Sequence, residues 1–281
     1  FRRVLFRSTK HAHAPQTELY YETYGQGRPV VLIHGWPLSG RMWEGQIDAL
    51  RHAGYQVVTY DRRGFGQSGK TATGYTYDVF ASDLKDLLET LNLNDVTLVG
   101  FSMGGGEVSR YAGLYGTEHV RSAMLVSSVA PYLLKTADNP DGGMSVEDIE
   151  GMVKQVAQNR PQFLAGFTKK FLNWDENGRE LGDEFLDFAA MMYLQASPVA
   201  TQECVRAFGE TDFRADLARL SVPTLVVHGD KDQIVPLEAS GQRVPQYAPN
   251  AELHVMTGAP HGLNATHGDE FNKILLDFVA R

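Results

Sequence analysis

The sequence predicts an α/β fold in which a mostly parallel sheet is flanked by helices and carries an inserted helical cap. Short apolar runs alternate with helical patterns through most of the 281-residue chain. The runs are nearly continuous in their apolar character, which is typical of strands buried on both faces of a parallel sheet. Between about residues 132 and 208 only helical patterns follow one another, which indicates an insertion.

The predicted strands follow the apolar runs. In chain order they are 17–24, 29–33, 55–60, 96–99, 120–127, 224–227 and 251–255. Helical patterns separate most of them, and the clearest one runs from Val79 to Leu91, where apolar residues recur every three or four positions. Such a stripe allows one face of a helix to pack on a sheet.

These elements divide the chain into a core and an insertion. We expect residues 15–131 and 209–281 to form the α/β core, and residues 132–208 to form the cap. The N-terminal segment 1–14 has neither a helical nor a strand period, so we expect it to lie outside the fold.

Composition limits the range of functions. A net charge of −8 argues against a general nucleic-acid binder. The single Cys204 excludes an internal disulfide and fits a reducing compartment. No apolar run approaches the ~20 residues of a membrane span, and the N-terminal segment lacks the apolar stretch of a secretion signal. We therefore expect a cytoplasmic protein without nucleic-acid or membrane partners.

His11 and His13 could ligate a metal as a pair, but histidines near a terminus more often bind nothing, and we predict no metal.

The segment Gly100-Phe101-Ser102-Met103-Gly104 lies between the strand at 96–99 and a helical pattern. A serine at a sharp turn from strand to helix is typical of a catalytic nucleophile, because the turn lifts the hydroxyl above the sheet edge. The strained turn needs small residues two positions to either side, which Gly100 and Gly104 provide. No other serine of the chain has glycine at both positions. Ser102 is therefore the candidate nucleophile.

A serine hydroxyl needs a general base, and three histidines lie near or after the last predicted strand. His254 falls within a strand pattern and His267 within a helical one, whereas His261 lies in a loop just after the strand. Because the base of such a site is carried on a loop at the sheet edge, we predict that His261 takes the proton of Ser102.

The base needs a carboxylate that orients its imidazole, and two aspartates follow the strand at 224–227. Asp230 falls in the tight turn, where an aspartate side chain usually caps its own loop. We therefore assign the orienting role to Asp232. The resulting order along the chain is serine, aspartate, histidine.

An oxyanion formed during acyl transfer needs two backbone donors. One is expected to be the N–H of Met103, which immediately follows the nucleophile. The other is expected from the loop after the strand at 29–33, where Pro37 has no N–H and Trp36 is left as the donor. His34 is expected to organise this loop rather than to act as a second base.

The cap is rich in aromatic residues at helical spacing. Most of them are expected to form a small helical core, but some should line an apolar pocket over the nucleophile. The candidate pocket residues are Pro37, Phe163, Phe167, Phe171 and Ile234.

Five segments together resemble the cofactor-free haloperoxidase and aryl esterase family of the α/β-hydrolases. They are HGWP at 34–37, DRRGFGQS at 61–68, GFSMGGG at 100–106, HGDKDQIVP at 228–236 and APHG at 259–262. The similarity covers nearly everything after about residue 14 and is weakest in the cap.

The resemblance implies a serine esterase for small aryl or alkyl esters that needs neither haem nor metal. It also implies a perhydrolase activity, in which hydrogen peroxide instead of water takes the acyl group from Ser102 and the peracid oxidises halide. The residue at Pro37 is expected to influence this choice through a backbone carbonyl that accepts a hydrogen bond from peroxide. A dedicated perhydrolase or chloroperoxidase, or a lactonase, is the nearest alternative, and self-association into a homo-oligomer is left open.

Two other classes of function compete with an esterase. The first is nucleotide binding, because residues 64–71 satisfy the P-loop pattern and residues 64–69 satisfy the dinucleotide-binding pattern. Both motifs need a helix that begins at the end of the loop, whereas residues 71–75 intervene here before the helical pattern. Without phosphate, the loop is a turn in which Asp61, Arg62 and Arg63 are expected to form local ion pairs. The second class is a ligand receptor without catalysis on the same fold.

Overall fold

The sheet positions every element of the site. In a computed structural model, which describes residues 2–8 and 14–281, the strands run in the order β1-β2-β4-β3-β5-β6-β7-β8. Strands β3 to β8 pair in parallel, whereas β1 and β2 pair antiparallel at one edge. The strand bounds are β1 Arg2–Arg7, β2 Glu18–Tyr24, β3 Pro29–Ile33, β4 Gln56–Tyr60, β5 Val96–Phe101, β6 Val120–Val126, β7 Thr224–Gly229 and β8 Ala251–Met256.

Helices cover both faces of the sheet, and two apolar clusters fill the spaces between them. The core helices are α1 Glu44–His52, α2 Tyr77–Thr90, α3 Met103–Tyr115, α8 Arg214–Leu217, α9 Leu263–Thr266 and α10 Gly268–Ala280. The expected stripe on α2 is confirmed, because Val79, Phe80, Leu84, Leu87 and Leu88 are buried. The α/β class and the parallel sheet are confirmed as well.

Segment 1–14 does not lie wholly outside the fold. Strand β1 pairs with β2 along its full length, and Phe6 packs its ring 5.9 Å from that of Tyr21. Ser8 is buried, and its N–H donates to the Thr17 carbonyl over 2.9 Å. An edge strand forms its hydrogen bonds with the neighbouring backbone, whichever side chains it carries. A short basic segment can therefore form a strand without showing a periodic pattern in its sequence. His11 and His13 lie outside the described residues.

The cap consists of helices packed over the carboxyl ends of the parallel strands. In the part of the chain that the structure describes, these are α4 Val146–Phe171, α5 Trp174–Leu181, α6 Asp183–Gln195 and α7 Pro198–Glu210. Helix α4 begins with a capping box between Ser145 and Asp148. It is broken at Asn159, whose φ of −152° and ψ of 77° are not helical, two residues before Pro161. No helix within the described ranges has the length and apolar character needed to cross a bilayer.

The glycine-rich loop at 64–71 connects β4 to α2 and does not open a helix, because α2 begins only at Tyr77. Asp61 accepts hydrogen bonds from the N–H groups of Gly40 and Gln67 over 2.8 and 2.7 Å. The Lys70 ammonium donates to the carbonyl of Gly66 over 2.7 Å. The loop's polar groups thus bind one another, and no helix begins at the end of this described loop to hold phosphate with its N-terminus. The structure therefore does not support the P-loop interpretation.

The expectation of local ion pairs in this loop is wrong. Arg62 Nε lies 2.6 Å from Glu107 of α3, and Arg63 Nε lies 2.6 Å from Asp83 of α2, with all four side chains buried. Both arginines reach inward because α2 and α3 pack over the loop and bring carboxylates that are distant in sequence. Burial raises the pKa of the Glu107 carboxyl, and the charge of Arg62 opposes that rise.

Candidate active site

Ser102 lies at the turn from β5 into α3, with φ of 52° and ψ of −115°. Its N–H donates to the Val126 carbonyl over 2.7 Å, which ties the turn to the neighbouring strand. The two flanking glycines leave no room for a side chain, since a Cβ at Gly100 would lie 2.3 Å from the Gly104 carbonyl oxygen. A Cβ at Gly104 would lie 2.5 Å from the Ile33 carbonyl oxygen. The strained serine is therefore fixed by close backbone packing on both sides.

The structure brings the three predicted side chains into one hydrogen-bonded chain. Oγ of Ser102 lies 3.0 Å from Nε2 of His261, and Nδ1 of His261 lies 2.6 Å from Oδ2 of Asp232. Because a carboxylate only accepts, Nδ1 carries the proton, and Nε2 is free to accept the hydroxyl proton of the serine. All three residues are buried to at least nine-tenths.

Asp232 is held by donors on both of its oxygens. Oδ1 accepts from the N–H groups of Ile234 and Val235 over 2.9 and 2.8 Å, and Oδ2 faces His261 and His228. Burial raises the pKa of this carboxyl, but the charge of a protonated His261 and the hydrogen bonds from His228 and His261 outweigh burial. The net pKa lies well below the usual range of aspartate.

His228 is a site residue that the sequence reasoning missed. It is fully buried at the end of β7, and its Nε2 lies 2.9 Å from the Val235 carbonyl oxygen and 3.1 Å from Oδ2 of Asp232. Both oxygens only accept, so Nε2 carries the proton. A histidine directly after an apolar strand and four positions before the chosen aspartate was the available signal. Asp230 lies in the turn, as expected, but its side chain does not cap its own loop: it accepts from the N–H of Gly258, in the turn after β8, over 2.7 Å.

The loop expected to supply an oxyanion donor lies directly against the nucleophile. A Cβ at Gly35 would lie 3.1 Å from Cβ of Ser102. Within the described residues, the N–H groups of Trp36 and Met103 have no hydrogen-bond acceptor. An unpaired N–H close to the nucleophile is what an oxyanion donor requires before substrate enters.

His34 holds this loop in place, as expected. Its Nε2 accepts from the Arg62 N–H and its Nδ1 donates to the Gly35 carbonyl, over 2.9 and 2.8 Å. Burial and the nearby Arg62 charge lower the pKa of His34 well below its usual range, so the imidazole stays neutral. Arg62 also donates to the His34 carbonyl over 2.9 Å. The loop is thus tied through Arg62 to Glu107 on α3.

Two neighbouring cavities among the described residues lie between the core and helix α4 of the cap. The one that contains the nucleophile, which we call the main cavity, has a volume of about 530 Å³ and is lined by Ser102, Trp36, Phe163, Phe167 and Ile234 among others. A side cavity of about 30 Å³ lies next to it and is lined by Pro37, Phe167 and Phe171 among others.

Of the five candidate pocket residues, Phe163, Phe167 and Ile234 line the main cavity with the nucleophile, whereas Pro37 and Phe171 line the side cavity. The Phe171 ring packs 5.0 Å from the His261 imidazole, so it covers the base instead. Helical spacing placed the three phenylalanines on one side of α4, but the neighbouring residues decide into which cavity each ring points.

A model of the alpha/beta hydrolase fold matches residues 28–267. The chain belongs to the alpha/beta hydrolase family. A putative non-heme chloroperoxidase of Synechocystis sp. is 46% identical over 263 residues, which cover 93% of this chain and 95% of that protein.

Solved structures agree with this assignment. A bromoperoxidase from Bacillus anthracis superposes with a TM-score of 0.93 at 46% identity, covering 99% of this chain and 100% of its own. An esterase from Exiguobacterium antarcticum superposes with a TM-score of 0.89 at 32% identity, covering 94% and 96%. Within the hydrolase family the chain therefore groups with non-heme haloperoxidases and esterases, and the predicted enzyme class is confirmed.

Proposed function

We propose that this protein is a serine hydrolase that cleaves small carboxylic esters through an acyl-enzyme on Ser102. The observation that carries the proposal is the continuous chain of hydrogen bonds from Ser102, which lines the main cavity, through His261 to Asp232. The similarity to a solved esterase and to a non-heme chloroperoxidase supports it.

The proposed reaction begins when Nε2 of His261 takes the Ser102 proton while Oγ attacks the ester carbonyl. The carbonyl electrons move onto oxygen, and the N–H groups of Trp36 and Met103 stabilise that anion. Collapse of the tetrahedral intermediate expels the alcohol, which receives the proton from His261. Water, deprotonated by the same imidazole, then attacks the acyl-enzyme and releases the carboxylic acid and the free serine.

A second acceptor, hydrogen peroxide, is favoured by the name of the chloroperoxidase relative. Attack of peroxide on the acyl-enzyme yields a peracid, which oxidises halide in solution, and no group on the enzyme changes its oxidation state. Pro37 follows Trp36 directly, so a substitution there alters the backbone beside the proposed oxyanion donor. Pro37→Leu is expected to change the ratio of perhydrolysis to hydrolysis, and an unchanged ratio would remove this residue from the choice of acceptor.

The decisive experiment is covalent labelling combined with an ester panel. A fluorophosphonate is expected to label Ser102, and p-nitrophenyl acetate is expected to turn over, whereas ATP with magnesium is expected not to bind. A P-loop protein would show the reverse, and a receptor on this fold would neither react with the fluorophosphonate nor turn over the ester. Running aryl esters, alkyl esters and lactones with and without peroxide separates an esterase from a lactonase or a dedicated perhydrolase. The proposal includes the cytoplasmic location expected from the lone Cys204.

A further inference from the structure

The wall that α4 contributes to the main cavity carries side chains of two kinds on both sides of the break at Asn159, and we call them the apolar and the polar stripe. The apolar stripe consists of Met152, Phe163 and Phe167, and the polar stripe of Gln155, Gln162 and Lys170. Among the described residues that line this cavity, Lys170 alone carries a charge. The cavity thus has an apolar side and a side with a positive end.

The polar stripe has no side chain at Gly166, which also lines the cavity, and we call the resulting gap between the side chains of Gln162 and Lys170 the recess. A Cβ built at Gly166 would meet no described side chain within 4 Å, so the space over this residue is open. Gln162 and Lys170 stand one helical turn before and one turn after it, on the same face of the helix. These residues are exposed, which places the recess at the mouth of the cavity.

The groups that flank the recess are hydrogen-bond donors. Oε1 of Gln162 accepts a hydrogen bond from Nδ2 of Asn159 over 2.9 Å, so the Nε2 hydrogens of Gln162 take no part in this contact. In the described part of the chain, neither that amide nitrogen nor the Lys170 ammonium has an acceptor or an ion-pair partner. An amide donor beside an ammonium, with no carboxylate on the cavity wall, favours a small anion with two oxygens.

We propose that the recess formed by Gln162, Gly166 and Lys170 binds a carboxylate carried by the ester substrate. This inference rests on the proposed esterase function and names a substrate class for the same site. The carboxylate and the scissile ester belong to one molecule, because the cavity that holds the recess also reaches Ser102.

The carboxylate can sit on either half of an ester, and two substrate pairs distinguish the halves. Monomethyl adipate and dimethyl adipate differ in charge on the acyl half, whereas 4-acetoxybenzoate and its methyl ester differ in charge on the alcohol half. For each pair the readout is the ratio of kcat/KM for the anionic ester to that for the neutral ester. Lys170→Gln is expected to lower the ratio about 5-fold in one pair, the size expected of a solvent-exposed charge contact.

Two further variants test the recess itself. Gln162→Met keeps the length of the side chain but removes its donors, and it is expected to lower the same ratio by a smaller factor. Gly166→Leu fills the open space and is expected to lower the ratio as much as Lys170→Gln. Lys169→Gln is the matched control, since Lys169 is an exposed neighbour that does not line the cavity. An unchanged ratio in Lys170→Gln, or an equal drop in Lys169→Gln, overturns the proposal.

A binding measurement separates this proposal from the esterase proposal. In Ser102→Ala, which cannot form an acyl-enzyme, monomethyl adipate and 4-acetoxybenzoate are each titrated calorimetrically with and without Lys170→Gln. Weaker binding of one of them in the double variant supports the recess even if turnover is absent. Hydrolysis of neutral esters combined with unchanged anionic-to-neutral ratios leaves the esterase proposal intact and rejects the recess alone.

Discussion

Nε2 of His228 lies 3.1 Å from Oδ2 of Asp232, the same carboxylate oxygen that receives the hydrogen bond of His261. Since its Nδ1 is buried without a partner in the described structure, His228 makes its polar contacts through Nε2 alone. The imidazole therefore connects the Val235 carbonyl with Asp232 and fixes the loop that carries the carboxylate.

His228→Leu is expected to lower kcat about 10-fold with little change in KM, because Asp232 orients the base and does not touch substrate. The pKa of the Asp232 carboxyl should rise toward its usual range, since one of the donors that lower it is lost. His228→Gln, which retains an N–H donor, should restore much of kcat. A Gln variant as impaired as the Leu variant, or a loss seen only in KM, would refute a positioning role.

Ser102→Ala is expected to lower ester turnover by up to about 10⁶-fold and to abolish fluorophosphonate labelling. The fold should persist, because the backbone N–H of residue 102 still donates to Val126 and the flanking glycines are unchanged. Ser221→Ala, a change at an exposed serine remote from the cavity, provides the control for both readouts. Activity retained in Ser102→Ala would exclude Ser102 as the nucleophile.

Much of this architecture could be predicted because it depends on local patterns. Buried parallel strands need continuous apolar runs, and most predicted strands agree with the observed bounds to within a few residues. The elbow at 100–104 is also local, since its glycines, its strand and its helix are adjacent in sequence. The order of Ser102, Asp232 and His261 followed from which loops end at the same edge of a parallel sheet.

The features that the sequence did not predict depend on packing between distant segments. Arg62 and Arg63 find their carboxylates on α3 and α2 only after both helices have packed over the loop. His228 becomes a partner of Asp232 because the chain after β7 folds back to bring the Val235 carbonyl to Nε2. Phe171 turns toward His261 because the Gly262 N–H binds the Phe171 carbonyl over 2.9 Å.

Asp61 is expected to make stability depend on pH. Burial raises its pKa from 3.8 to about 6, although the N–H groups of Gln67 and Gly40 and the charge of Lys70 oppose the rise. Between about pH 4 and 6 the unfolded carboxyl is ionised while the folded one keeps its proton, so unfolding releases a proton and stability falls as pH rises. The contribution is complete below the unfolded pKa and is lost as pH rises through about 6.

Urea unfolding of wild type and Asp61→Asn at pH 4, 5, 6 and 7 measures this contribution. Relative to Asp61→Asn, wild type is expected to lose up to about 3 kcal/mol of unfolding free energy as pH rises over that range. Other titrating groups cancel in the difference. Parallel curves for the two proteins would show that Asp61 does not titrate as described.

Gly104→Ala tests whether the elbow depends on close backbone packing. The added Cβ would lie 2.5 Å from the Ile33 carbonyl oxygen, and backbone cannot move aside as a flexible side chain can. We expect a loss of about 3 kcal/mol in unfolding free energy, and a fall in kcat, because α3 and the Met103 N–H must shift. Gly151→Ala is the matched control, since its Cβ would meet no described atom within 4 Å beyond the nearby backbone of its own helix, and the alanine should stabilise α4 by about 1 kcal/mol. Equal stability and turnover in both variants would show that the space between β3 and α3 can hold a larger side chain at position 104.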